Sequence, residues 1–389
     1  MKKFVSILLT LGFGLFLADA GVSLLDDTLI LFIGTNPLSY IRAIISLFSF
    51  IAVVVIYVLM GITPMVPKRF FLPMTLFGPV VLLGSVPLFI YHFDWLPQIA
   101  WLISLGKALL SLGLLAWLQG GWRIRWPLVR EEQLGDKGFG WLNLAGFILA
   151  NLFVLLPGAI VYLAWCGALA VDHFSGGFLA LHSDRLAVWA RQYVREDGKT
   201  VHLIPMMHIG EPGFYQEISK SIPTNSIVLL EGVSDEKKLL KHKLSYQRAA
   251  ATLGLAEQME EFAPDHARSR RADVDVGQFS AKSIEFLNVA MLLHSQGPTP
   301  EVIGELLRNS QDPAFSKQLW DDLLTRRNEH VLKEVQTELL ESETIVLPWG
   351  AAHMRGIAEG IQKSGFKPVG AQEYTILHYR TIWNGLRSR

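Results

Sequence analysis

Two histidines follow short apolar segments in the same manner, and they are the first residues of this sequence that could do chemistry. His353 follows the segment IVLPWGAA, and His208 follows VHLIPMM. Each segment has the length and the β-branched content of a buried strand, and helical spacing comes after each histidine. A histidine at such a corner lies at the carboxyl end of a strand, where open α/β sheets place their ligands. The repeated pattern therefore predicts two imidazole groups in one cleft.

Carboxylates follow or lie near further apolar segments. Glu231 comes directly after IVLL, and Asp273 and Asp275 lie one residue apart in ADVDVG. Two imidazoles and a carboxylate can hold a catalytic divalent metal and leave one position open to water. Glu231 is thus a candidate metal ligand or a candidate general base, and either aspartate could complete the ligand set. Helix capping is the simpler interpretation for at least one of the two aspartates.

Arg327 and Asn328 lie early on a predicted long helix that leads into the strand before His353. The rigid guanidinium group of an arginine can orient a carboxylate or stabilise an oxyanion. The ordinary role of such residues is a solvated helix surface, and a lone histidine at a strand end more often bonds to backbone. The repeated pair of histidines together with Glu231 favours a shared functional site.

Other chemistries have no support in the sequence. There is no G-x-S-x-G segment for a nucleophilic serine and no G-x-x-x-x-G-K segment for a phosphate. The formal net charge of zero gives no argument for nucleic acid, and the only cysteine, Cys166, lies in an apolar run. We therefore expect neither nucleotide nor nucleic acid as a partner.

The distribution of charge divides the 389 residues into two parts. Charged residues are scarce before about residue 170 and common after it, and several early runs are long enough to span a bilayer. These runs begin at Met1 and then cover Ile41–Ile62, Phe70–Tyr91, Trp95–Gln119 and Leu142–Val171. The sequence predicts an α-helical membrane anchor of about five transmembrane helices over residues 1–171. It predicts an α/β domain of mixed short strands and helices over residues 172–389.

Two features of residues 1–171, the membrane half, allow more than one interpretation. The first run ends near Ala18-Asp19-Ala20, so it could be a cleaved signal peptide, and a retained anchor is slightly favoured. Lys107 lies near the middle of the fourth run. A charge inside the membrane is a functional candidate, but a lysine that snorkels or faces a neighbouring helix is the plainer interpretation.

Basic residues alternate between the loops and predict the orientation. Lysines and arginines precede the first run, separate the second from the third and fill the loop between the fourth and the fifth. By the positive-inside rule the amino terminus is cytoplasmic. The domain after Val171 is then periplasmic or extracellular on a multi-pass protein of the cell membrane.

The second half resembles the TraB/PrgY/GumN and Tiki superfamily, which also takes in ChaN-like and erythromycin-esterase-like proteins. The resemblance covers roughly Leu181–Val369 and none of the membrane half. The matching segments, in order, are MMHIG at His208, LLEG at Glu231, LGLAEQ at Leu253–Gln258, ADVD at Asp273 and Asp275, RRN at Arg327 and Asn328, and GAAH at His353 followed by GFKPV. The second G-x-x-H element of the superfamily is intact, whereas Pro205 replaces the first glycine.

The resemblance implies a TraB/Tiki-like fold and a membrane-tethered, metal-dependent protease with His208, Glu231 and His353 as its site. The expected cofactor is a divalent metal ion, with Mn, Co and Zn left open, and the expected substrate is a peptide or protein. The alternative is a pheromone-shutdown-like protein that captures an exported ligand without turnover, and Pro205 favours it. Carriage of haem or metal by the paired histidines is a weaker third option.

A reporter fused after Val171 tests the predicted orientation. We expect alkaline phosphatase at this point to be active and a green fluorescent protein to be dark, because the first folds only outside the cytoplasm. A fusion in the basic loop at Arg125 is the matched control and should give the reverse pattern. A dark phosphatase together with a bright fluorescent protein at residue 171 would contradict the orientation.

Overall fold

The computed structural model describes residues 1–241, 246–296, 299, 304 and 313–387. The chain forms two compact units, Met1–Ala170 and Val171–Arg389. The first contains helices only, and the second is a mixed α/β unit.

Five helical stretches in the first unit are long and apolar enough to cross a membrane, which confirms the predicted number. The helices are α1 (Lys2–Ile33), α2 (Ser39–Ile62), α3 (Lys68–Tyr91), α4 (Leu96–Gln119), α5 (Trp141–Ala150) and α6 (Leu156–Ser175). A single π-helical segment, Asn151–Leu155, joins α5 to α6, so the two form one long stretch. α1 continues without a break past Ala20, the last residue of the candidate cleavage site.

Lys107 of α4 has an acidic partner, although the sequence predicts no acidic residue in the middle of any apolar run. Its ammonium group forms an ion pair with Asp19 of α1, whose side chain is buried. In the sequence, Asp19 belongs to the candidate cleavage site Ala18-Asp19-Ala20. This pattern does not identify Asp19 as a residue of a spanning helix, where the structure places it. A lysine and an aspartate on adjacent helices compensate each other in an apolar medium.

The second unit is built on a seven-stranded sheet. Its elements are β1 (Leu179–Leu181), β2 (Arg185–Val194), β3 (Thr200–Met206), β4 (Ile209–Gly210), α7 (Pro212–Ser221), β5 (Ile227–Leu230), α8 (Gln247–Leu253), β6 (Ala256–Glu257), α9 (Gln258–Glu261), β7 (Arg268–Arg271), α10 (Ala281–Gln296), α11 (Pro313–Trp320), α12 (Arg326–Glu338), β8 (Thr344–Gly350), α13 (Ala351–Lys363), β9 (Lys367–His378) and α14 (Tyr379–Arg387). The strand order is β1-β2-β3-β8-β5-β7, and β9 pairs with β2. β3, β8, β5 and β7 are parallel, whereas β1, β2 and β9 pair antiparallel.

Side chains of the parallel strands alternate between two apolar cores. Ile345, Leu347 and Trp349 of β8 face a core that includes residues of α12 and α13. Val346 of the same strand faces the opposite core, which includes α7. Burial on both faces explains why the strand sequences are continuously apolar. The unit is therefore a sheet covered by helices on both faces.

The sequence predicts helices over two further segments, Lys237–Phe262 and Pro300–Asn309. The segment Lys237–Phe262 is not one helix: within its described part it forms α8, the short strand β6 and α9, because Gly254 adopts a left-handed φ of 68° and ends α8. The sequence of this charged segment predicts one continuous helix, and that prediction is wrong. The predicted helix over Pro300–Asn309 lies almost wholly outside the described residues.

Pro348 in the central strand β8 changes the hydrogen bonding beside it. The register between β5 and β8 extends only over Ile227–Ile345 and Val228–Val346, and proline has no N–H to continue it. The indole N–H of Trp349 donates instead to the carbonyl of Leu229 at 2.8 Å. Trp349 is fully buried, so its side chain replaces a missing ladder bond inside the core.

Substitution of Trp349 by phenylalanine tests this role. Trp349→Phe leaves the Leu229 carbonyl without its donor and opens a void, so we expect a loss of about 2–3 kcal/mol in the free energy of unfolding. This corresponds to a thermal midpoint lower by about 5–10 °C. Scanning calorimetry of the full chain measures it, and Trp383→Phe on α14 is the control because Trp383 is 58% exposed. Equal midpoints for Trp349→Phe and the control would contradict the assignment.

Candidate functional site

Three parallel strands bring polar residues together at their carboxyl ends. Glu231 follows β5, Asp273 lies two residues after β7, and Gly350 ends β8. Since β8, β5 and β7 are consecutive neighbours in the sheet, these positions share one edge. This is the edge at which open α/β sheets bind ligands.

Arg327 of α12 lies between the two carboxylates. Its guanidinium group contacts Asp273 through Nε at 3.0 Å and Nη2 at 2.6 Å, and the same Nη2 donates to Glu231 Oε1 at 2.7 Å. The Asp273 side chain is completely buried, and its oxygens also accept from the backbone N–H groups of Gly232 and Val274. Arg327 thereby fixes the position of both acids.

Glu231 also bonds directly to the strand that precedes His353. Its Oε2 accepts the backbone N–H of Gly350 at 2.5 Å. A Cβ at Gly350 would lie 3.1 Å from this oxygen, closer than an ordinary contact. The glycine of the GAAH segment therefore leaves room for the Glu231 carboxylate.

His353 lies in the first turn of α13 and is 3% exposed. Its Nδ1 is 2.7 Å from Asn328 Oδ1, and its Nε2 is 3.5 Å from Glu231 Oε1. Because Asn328 Oδ1 is an acceptor, Nδ1 carries the proton and Nε2 presents its lone pair to Glu231. Two acceptors thus face each other across a short gap.

Close packing of α12 on α13 holds Asn328 against His353. A Cβ at Gly356 would come within 2.5 Å of the Asn328 amide nitrogen, and a Cβ at Gly360 would overlap the Leu332 side chain. Two glycines four residues apart on α13 therefore admit two side chains four residues apart on α12. The π-helical segment Asp321–Thr325 directly precedes α12, a position where such segments often adjust functional residues.

Trp349 connects the site to the core below it. Its ring packs edge-on against His353 with centroids 5.3 Å apart, and the Arg327 guanidinium carbon lies 5.6 Å from the ring centroid. The aromatic ring thus packs beside both polar side chains.

Burial and charge together set the protonation of the site. Burial, followed by the positive charge of Arg327, lowers the pKa of His353 to about 4, and the nearby carboxylates offset only part of this effect. Burial alone would lower the pKa of Arg327, but Asp273 and Glu231 outweigh it and raise that pKa. At neutral pH His353 is neutral and Arg327 is charged, so one guanidinium group serves two carboxyl groups, those of Asp273 and Glu231.

His208 lies apart from these residues, although β3 and β8 are adjacent parallel strands as the repeated pattern suggested. β3 ends at Met206, and the chain then turns into β4, which pairs with β6. The His208 ring is exposed and stacks on Tyr246, with centroids 4.9 Å apart. Among the contacts of the described residues, none joins the His208 side chain to Glu231 or His353.

Asp275 also has a separate role. It accepts hydrogen bonds from the backbone of Glu236 and Gly277 and from the Ser234 hydroxyl, and the two backbone donors chiefly lower its pKa. It caps the short 3₁₀ helix Val276–Gln278, which is the simpler of its two predicted roles. The structure thus brings together Glu231, Asp273, Arg327, Asn328 and His353, and places His208 and Asp275 elsewhere.

The donor atoms fit a cation in part. Two ligands of one tetrahedral ion, each about 2.1 Å from it, are separated by about 3.4 Å. His353 Nε2 and Glu231 Oε1 are 3.5 Å apart, so they match adjacent ligands. Asp273 is occupied by Arg327, and within the described ranges no group of three or more histidine, cysteine or acidic side chains is arranged to hold a metal. The described residues offer two ligands here, and solvent or substrate would occupy the remaining coordination positions of a metal ion.

Sequence reasoning missed Trp349, Gly356 and Gly360. The sequence pattern indicates only that Trp349 belongs to an apolar strand. A buried indole also needs an acceptor for its N–H, and this requirement points to a specific contact. The G-x-x-x-G spacing of Gly356 and Gly360 was visible in the sequence and is typical of close helix contacts. These residues position the side chains of the site without carrying its chemistry.

Comparison of the chain with protein-family models, curated proteins and solved structures found no match. The resemblance to the TraB/Tiki superfamily therefore stays a prediction.

The lowered pKa of His353 predicts a pH dependence of stability. Between pH 6.5, the value of a free histidine, and about pH 4 the unfolded chain binds a proton that the folded site refuses. The contribution of His353 to the free energy of unfolding is therefore complete above pH 6.5. It is lost as the pH falls towards 4, and the loss is about 3 kcal/mol at most. Thermal midpoints of the full chain with chelator at stepped pH measure this loss.

The matched variant is His353→Gln, which lacks the titrating group. Burial also lowers the pKa of His202, which acts in the same direction in both proteins and cancels in the comparison. The variant should lose less stability on acidification than the wild type. Parallel curves for the two proteins would show that His353 is not buried in its neutral form.

Proposed function

We propose that this protein is a membrane-anchored, divalent-metal-dependent hydrolase, a peptidase by its resemblance, that acts outside the cytoplasm. The observation that carries the proposal is the 3.5 Å approach of His353 Nε2 to Glu231 Oε1. Two lone pairs at this distance repel unless a positive charge lies between them. The site has two carboxyl groups for one guanidinium group, which favours such a cation.

Each residue of the site has a role in this proposal. His353 and Glu231 would hold the metal, and Glu231 could instead accept the proton of an attacking water. A bound divalent ion would lower the pKa of a water molecule bound to it and would polarise a substrate carbonyl. Asn328 fixes the tautomer that leaves Nε2 free, and the Gly350 N–H orients the Glu231 carboxylate.

Arg327 is a positioning residue in the first instance. It neutralises Asp273 and holds Glu231 at the edge of the sheet. Its side chain is 13% exposed, so a small part of its charge faces the outside of the site, where an oxyanion could approach. Loss of Arg327 would leave Asp273 as an unpaired buried charge, which costs stability as well as activity.

The membrane half supplies the location. Five apolar helices are compatible with contact to a lipid bilayer. The placement of the second unit outside the cytoplasm rests on the distribution of basic loops, and its peptide or protein substrate rests on the resemblance. Both are parts of the proposal.

Non-enzymatic capture of a peptide or another exported ligand is the second candidate. The position of His208 favours it, because the first corner does not deliver a third ligand to the pair. Pro205 lies within β3 opposite Trp349, where a family glycine would have an N–H that proline lacks. A site with two ligands could bind a cationic group of a peptide without turnover.

Metal affinity of the full chain in detergent tests the first candidate. After treatment with chelator, titration calorimetry with Mn²⁺, Co²⁺ and Zn²⁺ should show a single site. We expect Glu231→Gln and His353→Gln each to weaken affinity about 10-fold or more, because each removes one of two ligands. Hydrolysis of a fluorogenic peptide library should need the metal and be lost in both variants.

His378→Gln is the matched control. His378 also lies beside a glutamate, with its Nδ1 3.1 Å from Glu211, but its side chain is 49% exposed and it lies on β9. This variant should bind metal like the wild type. Binding without hydrolysis would favour capture, and unchanged binding in Glu231→Gln and His353→Gln would reject the metal site.

A further inference from the structure

A row of polar side chains lies on one face of α1 inside the membrane half. Asp19, Ser23, Asp26 and Asp27 follow the spacing i, i+4, i+7 and i+8, which places them on one side of a helix. All four are buried, and the three aspartates are between 1% and 4% exposed. Acidic side chains within spanning helices are costly and mark ion sites and proton relays.

α2 and α4 supply the partners of two of these acids. Asp19 pairs with Lys107 of α4 and accepts the Ser46 hydroxyl of α2 at 2.5 Å. Asp27 takes two hydrogen bonds from Arg42 of α2, at 2.5 Å and 3.2 Å. Asp27 also accepts the Ser104 hydroxyl at 2.5 Å. Each of these carboxylates is matched by one cation.

Asp26 is the acid without a cation of its own. Its Oδ2 accepts a hydrogen bond from Arg42 Nη1 at 3.2 Å within an ion pair, but the same Nη1 donates to Asp27 at the shorter distance of 2.5 Å. Its Oδ1 is buried and has no hydrogen-bond partner among the described residues. The three carboxylates of this membrane cluster, Asp19, Asp26 and Asp27, therefore exceed its two cations by one negative charge.

Among the described residues, the ion pairs of the cluster come from α2 and α4. α3 packs on α1 through Phe77 and Phe16, and its charged residues, Lys68 and Arg69, lie at its cytoplasmic end by the predicted topology. Lys68 there donates to Asn143. The excess charge is thus not balanced by the described side chains that surround it.

We propose that the membrane cluster is a binding site for one monovalent cation, a proton or a sodium ion, which Asp26 takes up through Oδ1. A buried carboxylate that only shares its cation with a second carboxylate costs free energy, and uptake of a further cation removes this cost. A water molecule could donate to Oδ1, but it would leave the charge in place. The bound cation completes the charge balance of α1, α2 and α4, so the membrane half is more than an anchor.

The thermal stability of the membrane half tests this proposal. Cys166 is the only cysteine, is buried in α6, and reports unfolding of this half through a thiol-reactive dye. The full chain in detergent is melted at stepped pH in choline chloride, and at fixed pH with sodium chloride replacing choline at constant ionic strength. We expect the wild-type midpoint to rise by roughly 3 °C for each tenfold rise in the cation that binds.

Asp26→Asn is the decisive variant, because asparagine has the shape of aspartate without its charge. It should lose the dependence and be at least as stable as the wild type at high pH in choline. Asp94→Asn, at an exposed position between α3 and α4, should keep the wild-type response. A response to pH alone identifies a proton, and a response to sodium at fixed pH identifies the metal ion.

Two results would overturn the proposal. The first is a wild-type midpoint that depends on neither cation, and the second is a dependence that survives in Asp26→Asn. If Asp26→Asn does not fold, infrared difference spectra of the wild type between high and low cation activity decide the matter. They should show a change in carboxyl bands, and their absence would reject uptake at this site.

Discussion

The α/β unit depends on one electrostatic constraint, the burial of Asp273 beneath Arg327. A carboxylate with no exposure is tolerated only because the guanidinium group and two backbone N–H groups satisfy both its oxygens. The same guanidinium group reaches Glu231, which in turn bonds to Gly350. The ends of β5, β7 and β8 are thus connected by a continuous set of charge-assisted bonds, and α12 is held over them.

The reactive geometry follows from that connection. Once Glu231 is fixed by Arg327 and Gly350, its Oε1 has one free direction, and His353 lies in it at 3.5 Å. His353 cannot relieve the contact by taking a proton, because burial and Arg327 keep it neutral, with a pKa of about 4. On the proposed function, a metal ion would lie between these two side chains. The membrane cluster follows the same principle, because its three aspartates have only two cationic side chains as partners.

The sequence predicted the five spanning helices, the α/β class of the second unit and the residues that meet at its strand ends. These succeeded because apolar length, strand composition and polar residues after strands are local signals. The position of His208 could not be predicted in this way. It depends on β4 pairing with β6, a contact between residues 46 and 48 positions apart in the chain, which leaves no pattern near the histidine. Asp19 was missed because a cleavage-site motif and a spanning helix have overlapping sequence requirements. The role of Arg327 was visible only as a residue type, since its two carboxylate partners come from other strands.

Trp349 has a consequence beyond its contribution to packing. Its indole completes the hydrogen bonding of the central strand, its ring edge confines His353, and its face lies near Arg327. A side chain with three such duties cannot change one of them alone. Variation at this position alters the central strand and the surroundings of His353 and Arg327 together, so any residue accepted here must satisfy both the sheet and the site.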